Sequence, residues 1–216
     1  MCSDWSKGAE NGGRAISASR ATAASAIVHE WLDPGICGWL SSGRKPTVAE
    51  IREVFLRTAP LIAHQDLATW KRNQIANQQE QEVINLLDSK GWTKLPSKLI
   101  DKRATIPPRH FMHKTRFATN TTTPQEVDIA CGLKDTYVAA MECKVTNDTT
   151  NSVKRVNDVL KKASAWKEQW GRFVVTAALL QGVIAPKDVQ RLTDNGVLVF
   201  WSHDLATFGD WLDTMI

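Results

Sequence analysis

Two neighbouring segments of the sequence bring together side chains that could hold a divalent metal beside a phosphate. Residues 125–130 read Gln-Glu-Val-Asp-Ile-Ala, and residues 137–145 read Tyr-Val-Ala-Ala-Met-Glu-Cys-Lys-Val. Both are typical of short strands, and the short turn between them favours an antiparallel hairpin. Because side chains alternate faces along a strand, Glu142 and Lys144 share one face. With Asp128 from the first strand, two carboxylates and an ammonium would point into one small volume.

The tripeptide Glu-x-Lys or Asp-x-Lys alone is weak evidence, because chance supplies one or the other once or twice in about 200 residues at ordinary residue usage. Asp88-Ser89-Lys90 is a second match, at a predicted helix end. The strand around Glu142 and the aspartate on the preceding strand make the central pattern more informative. The alternative is a cross-strand salt bridge on an exposed sheet face.

Composition limits what this pattern can mean. The 216 residues are 43% hydrophobic and 23% charged, which predicts a globular protein of one large domain, or one domain with an appendage. The four cysteines have neither CxxC nor zinc-ligand spacing, and no signal peptide is evident, which indicates a reducing, bacterial cytoplasmic location. Since no apolar run approaches about 20 residues, we expect a soluble protein without membrane contact.

The N-terminal third predicts helices. Residues 1–13 are small and polar and suggest a loose leader, followed by a helical region over residues 14–75. We expect one helix from Arg14 to Leu32. A second starts at a Thr47/Glu50 capping box, with an apolar side. Pro60 is expected to interrupt it, and further helix, in one or two segments, should run from about residue 61 to Gly91. The apolar side comprises Ile51, Val54, Phe55 and Leu56.

Residues 76–216 predict an α/β core. After the hairpin the sequence alternates helix and strand, with strands at residues 173–178 and 197–201, and this alternation favours parallel pairing. The fold class is therefore a mixed central β-sheet flanked by helices, with an α-helical N-terminal region.

The segment 96–124 predicts the longest irregular stretch, and it is basic. It is interpreted either as a solvated surface loop or as a loop that follows a phosphate backbone and reaches base edges, and the sequence does not separate the two. His110 and His113 add donors. Its cations, set against the single acid Asp101, are Lys98, Lys102, Arg103, Arg109, Lys114 and Arg116.

A helix over residues 151–170 leaves directly from the second hairpin strand. Its first turn should therefore lie near the site, where free N–H groups and the positive dipole end favour a phosphate. Four basic residues lie off its apolar stripe, which is ordinarily a solvated face: Lys154, Arg155, Lys161 and Lys162. The expected buried stripe is Val153, Val156, Leu160, Ala163, Trp166 and Trp170.

Several segments carry a family resemblance: residues 126–128, 141–147, 150–158, the Gly-Trp at 91–92, and Phe-Trp-Ser-His-Asp-Leu at 200–205. They resemble the PD-(D/E)XK nuclease core and, more narrowly, the XamI-type type II restriction endonucleases. The similarity covers about residues 76–216. Val127 stands where the superfamily's naming proline would be.

The resemblance implies a sequence-specific DNA endonuclease that leaves 5′-phosphate and 3′-hydroxyl ends. Asp128, Glu142 and the Cys143 carbonyl would hold Mg²⁺, with Mn²⁺ as a substitute, and Lys144 would stay charged beside them. Glu80 would lean over the site from the preceding helix. It could instead cap its own helix from Asn77, with Glu82 as the other candidate.

The implied partners are duplex DNA, a second copy of the chain in a homodimer, and a protecting methyltransferase that is not bound. A structure-selective or repair nuclease of the resolvase kind, and a catalytically silent DNA-binding protein, are the alternatives. The sequence leaves open which residues read bases. Expected DNA contacts are Asn151, Ser152, Lys154, Arg155, Arg103, Arg109, Lys114 and Arg116.

Overall fold

A computed structural model describes residues 17–120 and 123–216 of the chain. The leader predicted for residues 1–13 and the predicted helix start at Arg14 lie outside the described residues. The chain forms two compact units, Met1–Ala68 and Thr69–Ile216.

The first unit is helical. Helix α1 spans Ala18–Trp31, α2 spans Pro34–Ser41, and the long helix α3, Val48–Ser89, begins here. The Thr47/Glu50 capping box is confirmed, since the Thr47 N–H donates to Glu50 Oε2 at 2.8 Å and the Glu50 N–H donates to Thr47 Oγ1 at 3.3 Å. Helix α2 was not predicted, and it begins at a proline capped by the Asp33 carboxylate.

The predicted interruption at Pro60 is wrong, because α3 continues through it. An interior proline lacks an N–H donor and crowds the carbonyl four residues earlier, but here the turns on either side remain helical. The predicted apolar side is exposed: Ile51, Phe55 and Leu56 each leave more than half of their surface open to solvent. The predicted stop is confirmed, with Gly91 at φ +75° and the Trp92 N–H donating to the Leu87 carbonyl at 3.0 Å.

The second unit is built on a mixed seven-stranded sheet, which confirms the predicted fold class. The order is β1-β3-β4-β5-β6-β7, with β2 also beside β3. Strand β4 is antiparallel to β3 and β5, and the other pairs are parallel, as predicted for the hairpin and the C-terminal strands. The strands are β1 Thr93–Leu95, β2 Leu99–Ile100, β3 His110–Phe117, β4 Gln125–Gly132, β5 Val138–Thr146, β6 Val174–Gly182 and β7 Leu198–Trp201.

The irregular stretch predicted for residues 96–124 is wrong over much of its length. It contains β2, a 3₁₀ turn at Arg103–Thr105 and all of β3. Strand β3 buries Phe111, Met112 and Phe117. Basic residues between these apolar ones masked the strand, and two of them, Lys114 and Arg116, pair with carboxylates of neighbouring elements.

Helices cover both faces of the sheet. The end of α3 and helix α6, Leu205–Thr214, pack on the face that includes Ile129 and Met141. Helix α4, Thr149–Trp170, packs on the face of Ala130 and Ala140, and helix α5, Pro186–Asp194, packs with α4 through Leu192. None of the described helices is both long enough and apolar enough to cross a bilayer.

The buried stripe of α4 differs from the prediction at its start. Val153 is 37% exposed, and Ser152 and Val159 take buried positions instead. The Ser152 hydroxyl donates to the buried Asp188 carboxylate of α5 at 2.8 Å. The hydrogen-bonded pair Ser152–Asp188 is therefore buried where the apolar pattern predicted Val153.

Candidate active site

The central feature of the second unit is an opening between β4 and β5. Their pairing runs from Gly132↔Val138 to Ile129↔Met141, and beyond it β4 pairs with β3 while β5 pairs with β6. Asp128 and Glu142 are the next residues along the two strands. Where the backbone pairing stops, the Cys143 N–H donates to Asp128 Oδ2 at 2.8 Å, which orients that carboxylate.

The structure brings Asp128, Glu142 and Lys144 together at this opening. Lys144 Nζ lies 2.7 Å from Glu142 Oε2 and 3.9 Å from Asp128 Oδ2. Glu142 is fully buried, and Lys162 of α4 donates to both of its carboxylate oxygens at 2.8 Å. One buried carboxylate therefore contacts two ammonium groups.

Burial and neighbouring charges set the protonation behaviour of this cluster. Burial raises the pKa of Glu142, and the Asp128 carboxylate raises it further, while Lys144 and Lys162 oppose both effects. Burial alone would lower the pKa of Lys144, but Glu142 and Asp128 together raise it above its ordinary value. Lys144 is therefore a charged ammonium at neutral pH and cannot serve as a free amine base.

Glu80 reaches the same opening from the α3 side of the sheet. This buried carboxylate accepts from Lys114 Nζ at 2.5 Å through Oε1 and pairs with His113 Nε2 at 2.7 Å through Oε2. Lys114 Nζ also lies 3.2 Å from Asp128 Oδ1. Glu80 is thus connected to Asp128 through one shared ammonium.

The alternatives for Glu80 do not fit this geometry. Asn77 lies inside the continuous helix α3 and so cannot be its N-cap. Glu82 accepts a hydrogen bond from Gln78 on its own helix. Of the two candidate glutamates, Glu80 is the one linked to Asp128.

Lys114 occupies an uncommon backbone conformation, with φ +51° within β3. Burial alone would lower its pKa, but hydrogen bonding to Glu80 and the charges of Asp128 and Glu80 raise it. Its ammonium is therefore paired with Glu80 and Asp128, although more than half of the side chain is exposed to solvent.

The donor set fits a hard divalent cation. Among the described residues, no group of three or more His, Cys, Asp or Glu side chains is arranged to hold a metal. Asp128 and Glu142 supply two carboxylates, and Mg²⁺ commonly takes one or two such groups together with water and phosphate oxygens. Burial, and then the Asp128 charge, raise the pKa of the Cys143 thiol well above its ordinary value, so Cys143 would contribute its carbonyl and not a thiolate.

The residues expected to contact DNA from α4 divide into two groups. Lys154 is exposed and Arg155 is partly exposed. Asn151 donates its backbone N–H at 2.8 Å and its amide at 2.6 Å to Asp148, so a carboxylate of the chain already uses donors in the first turn. The expectation for Ser152 is corrected, because its fully buried hydroxyl bonds to Asp188 and does not reach the surface.

The arginines of residues 96–124 that were expected to contact DNA lie in two places. Arg116 lies near the opening, and its guanidinium is 3.2 Å from Glu126 in an exposed pair. The Arg103 guanidinium lies 3.4 Å over the Phe173 ring, and the Arg109 N–H donates to the Gly132 carbonyl. Their partners Phe173 and Gly132 lie at the end of the sheet where β5 begins, and Val138 at that end precedes Glu142 by roughly 13 Å of strand.

Lys162 and His113 contact the carboxylates Glu142 and Glu80, and neither contact was predicted from the sequence. Lys162 was grouped with solvated cations, yet it lies three residues after buried Val159 and four before buried Trp166, a spacing that indicates the edge of the buried side. His113 was hidden inside the stretch assigned as irregular. Correct placement of β3 would have brought it opposite Ile129.

The mixed sheet flanked by helices is consistent with a restriction-endonuclease-like fold, and two carboxylates and a lysine meet at an opening between its antiparallel strands. A family model described as XamI restriction endonuclease matches residues 1–201. The chain belongs to the XamI restriction endonuclease family.

One relative is the type II restriction enzyme XamI of Xanthomonas campestris pv. amaranthicola, which is 32% identical over 147 residues. The match covers 67% of this chain and 52% of the relative, so the chain spans about half the length of that enzyme. A solved structure, protein VC1899 of Vibrio cholerae, aligns with 62% of this chain and 32% of its own at 13% identity and a TM-score of 0.42, a likeness too distant to bear on function.

Proposed function

We propose that this chain is a Mg²⁺-dependent type II restriction endonuclease that hydrolyses phosphodiester bonds of duplex DNA at a specific sequence. The products would carry 5′-phosphate and 3′-hydroxyl ends. The observation that supports this most is the meeting of Asp128, Glu142 and Lys144 at the opening between β4 and β5. Family membership supports the same conclusion.

Each residue has a role that follows from its contacts. Asp128 and Glu142, with the Cys143 carbonyl, would hold Mg²⁺, and Mn²⁺ is expected to substitute. When bound, the ion would make water a better nucleophile and offset negative charge that grows on the phosphate. Lys144, kept charged by its carboxylate neighbours, would orient water and stabilise that charge. Glu80 would hold Lys114 against Asp128.

The DNA would lie across the opening. Lys154 and Arg155 of α4 would contact phosphates beside the cut, and Asn151, Lys114 and Arg116 would add further contacts. Arg103 and Arg109 would contact DNA only away from the cut. A palindromic target would require a homodimer, and a restriction role in a bacterial cytoplasm would require a separate protecting methyltransferase.

Digestion of a supercoiled plasmid in Mg²⁺, followed by sequencing of the ends, tests this proposal. We expect fragments that share one terminal sequence, 5′-phosphates that a ligase accepts, and no cutting in EDTA. The control is Glu168→Gln, which changes an exposed carboxylate of α4 and should cut normally. Cutting only of branched DNA, or DNA binding without cutting in Mg²⁺ or Mn²⁺, would contradict the proposal.

A further inference from the structure

Lys162 is the side chain that the proposed chemistry leaves without a role. Its ammonium lies 2.8 Å from both oxygens of Glu142, a carboxylate with no exposed surface. Lys144 already contacts the same carboxylate at 2.7 Å. Glu142 therefore has a second ammonium across the two oxygens that a metal ion would use.

Charge balance shows why both lysines and a metal ion are difficult to accommodate together. Counted as ionised, Asp128, Glu142 and Glu80 carry three negative charges. Lys144, Lys162 and Lys114 carry three positive charges, so the cluster is balanced as it stands. A divalent cation would add two uncompensated positive charges at a site where solvent is largely excluded, which is strongly unfavourable. The release of one ammonium would relieve part of this repulsion.

The two lysines differ in how readily they can leave. Lys144 lies on β5 between Glu142 and Asp128, and its side chain is 14% exposed. Lys162 lies on α4, which packs on the Ala130 and Ala140 face of the sheet, and its side chain is 22% exposed. A long, flexible lysine side chain with a path to solvent can move its charge outward at small cost.

We propose that Lys162 is a stand-in cation that neutralises Glu142 in the metal-free protein and is displaced when a divalent metal binds. This inference rests on the proposed function in taking Asp128 and Glu142 as the metal ligands. Lys162 thus stabilises the empty site and weakens metal binding, and it sets the metal concentration above which the site fills.

The test is calorimetric titration of the full chain with Mn²⁺ at pH 8 in the absence of DNA, so that it does not depend on cleavage. Lys162→Gln keeps hydrogen-bond donors near Glu142 but removes the charge, and Lys162→Met removes both. We expect Kd for Mn²⁺ to fall about tenfold or more in either variant, because one unit of positive charge is removed beside the ion. Lys161→Met, an exposed neighbour on α4, should leave Kd within about twofold of native.

A thermal measurement provides the second readout. In EDTA, Lys162→Met should melt below the native protein, and saturating Mn²⁺ should raise its Tm by more than it raises the native Tm. Lys162→Gln provides the same comparison if the Met variant fails to fold.

The outcomes are distinguishable. An unchanged or higher Kd in Lys162→Gln, with a native protein that binds Mn²⁺ and cuts DNA, would overturn the role of Lys162 and leave the proposed function intact. Failure of the native protein to bind Mn²⁺, with no cutting, would instead overturn the proposed function and this inference with it.

Discussion

Glu142 is the residue whose environment most clearly distinguishes a site from an ordinary surface salt bridge. It is fully buried and contacts Lys144 and Lys162, whereas the exposed pair of Arg116 and Glu126 is of the kind that contributes little to stability. Removing one partner of a buried ion pair leaves the other uncompensated and commonly costs about 3–5 kcal/mol. The cross-strand surface bridge considered from sequence therefore does not describe this pair.

At the same scale, Glu80 and Glu82 provide a matched comparison. We expect Glu80→Gln to slow Mg²⁺-dependent cleavage by about tenfold or more, because residues that position metal ligands commonly contribute about 10–100-fold. Glu80 holds Lys114 against Asp128, whereas Glu82 bonds only within its helix among its observed contacts. Glu82→Gln should cut within about twofold of native in the same plasmid assay, and equal losses in both variants would contradict the assignment.

Strand alternation predicts that Glu142 and Lys144 share one face of the sheet, but it does not predict which helix side chain packs on that face. The period of two placed Glu142 and Lys144 on one face. The contact of Lys162 depends on how α4 is rotated against the sheet, which side-chain packing decides, and the buried Ser152–Asp188 hydrogen bond shifts the choice that apolarity suggested. Residue spacing can place Lys162 at the edge of the buried side, but it does not give the rotation that brings its ammonium onto Glu142.

At the scale of elements, the opening exists because β4 and β5 pair with each other for only part of their lengths. Beyond Ile129 and Met141 they separate, while β4 remains paired with β3 and β5 with β6. The hairpin and the parallel C-terminal strands were predictable from their apolar runs and intervening helices. Strand β3 was not, because its charges are satisfied by Glu80, Asp128 and Glu126, which are distant in sequence or on another strand.

Gly182 controls the approach of β5 and β6 beside the site. A Cβ at this position would lie 1.9 Å from the Thr146 carbonyl oxygen, and φ is +96°. We expect Gly182→Ala to lower the free energy of unfolding by about 3 kcal/mol or more, since the backbone must move as well as bear an unfavourable φ. Gly91→Ala has a positive φ of +75° and open space, so it should cost only about 1 kcal/mol. Urea unfolding compares them, and similar losses would contradict this close packing.

The N-cap of α4 should make a pH-dependent contribution to stability. Hydrogen bonds from Asn151, its backbone N–H first, lower the pKa of Asp148 below its ordinary value, which is about 3.9 in an unfolded chain. The stabilisation is therefore present above that pH and is lost as pH falls through the lower folded value. In urea unfolding, Asp148→Ala should be less stable than native at pH 7, and the difference should shrink below about pH 4. A difference that is constant or grows with acidity would contradict this.

At the scale of the whole molecule, the chain places one set of catalytic candidates in one α/β unit. Cutting both strands of a palindromic site requires two such sets related by a twofold axis. We expect sedimentation at working concentration, with and without target DNA, to show two copies of the chain. Monomers alone in both conditions would contradict the homodimer. Each chain would then cut one strand at a time.

Whether Asp128, Glu142 and Lys144 form a metal-dependent nuclease site is decided by the Mg²⁺-dependent rate at which variants of these residues cut a plasmid. Glu142→Gln and Lys144→Met should each reduce the rate by about 100-fold or more, the scale expected when a transition-state contact is removed. Glu168→Gln and Lys161→Met should cut at the native rate. Cutting at the native rate by Glu142→Gln or Lys144→Met would show that the altered residue is not part of the catalytic site.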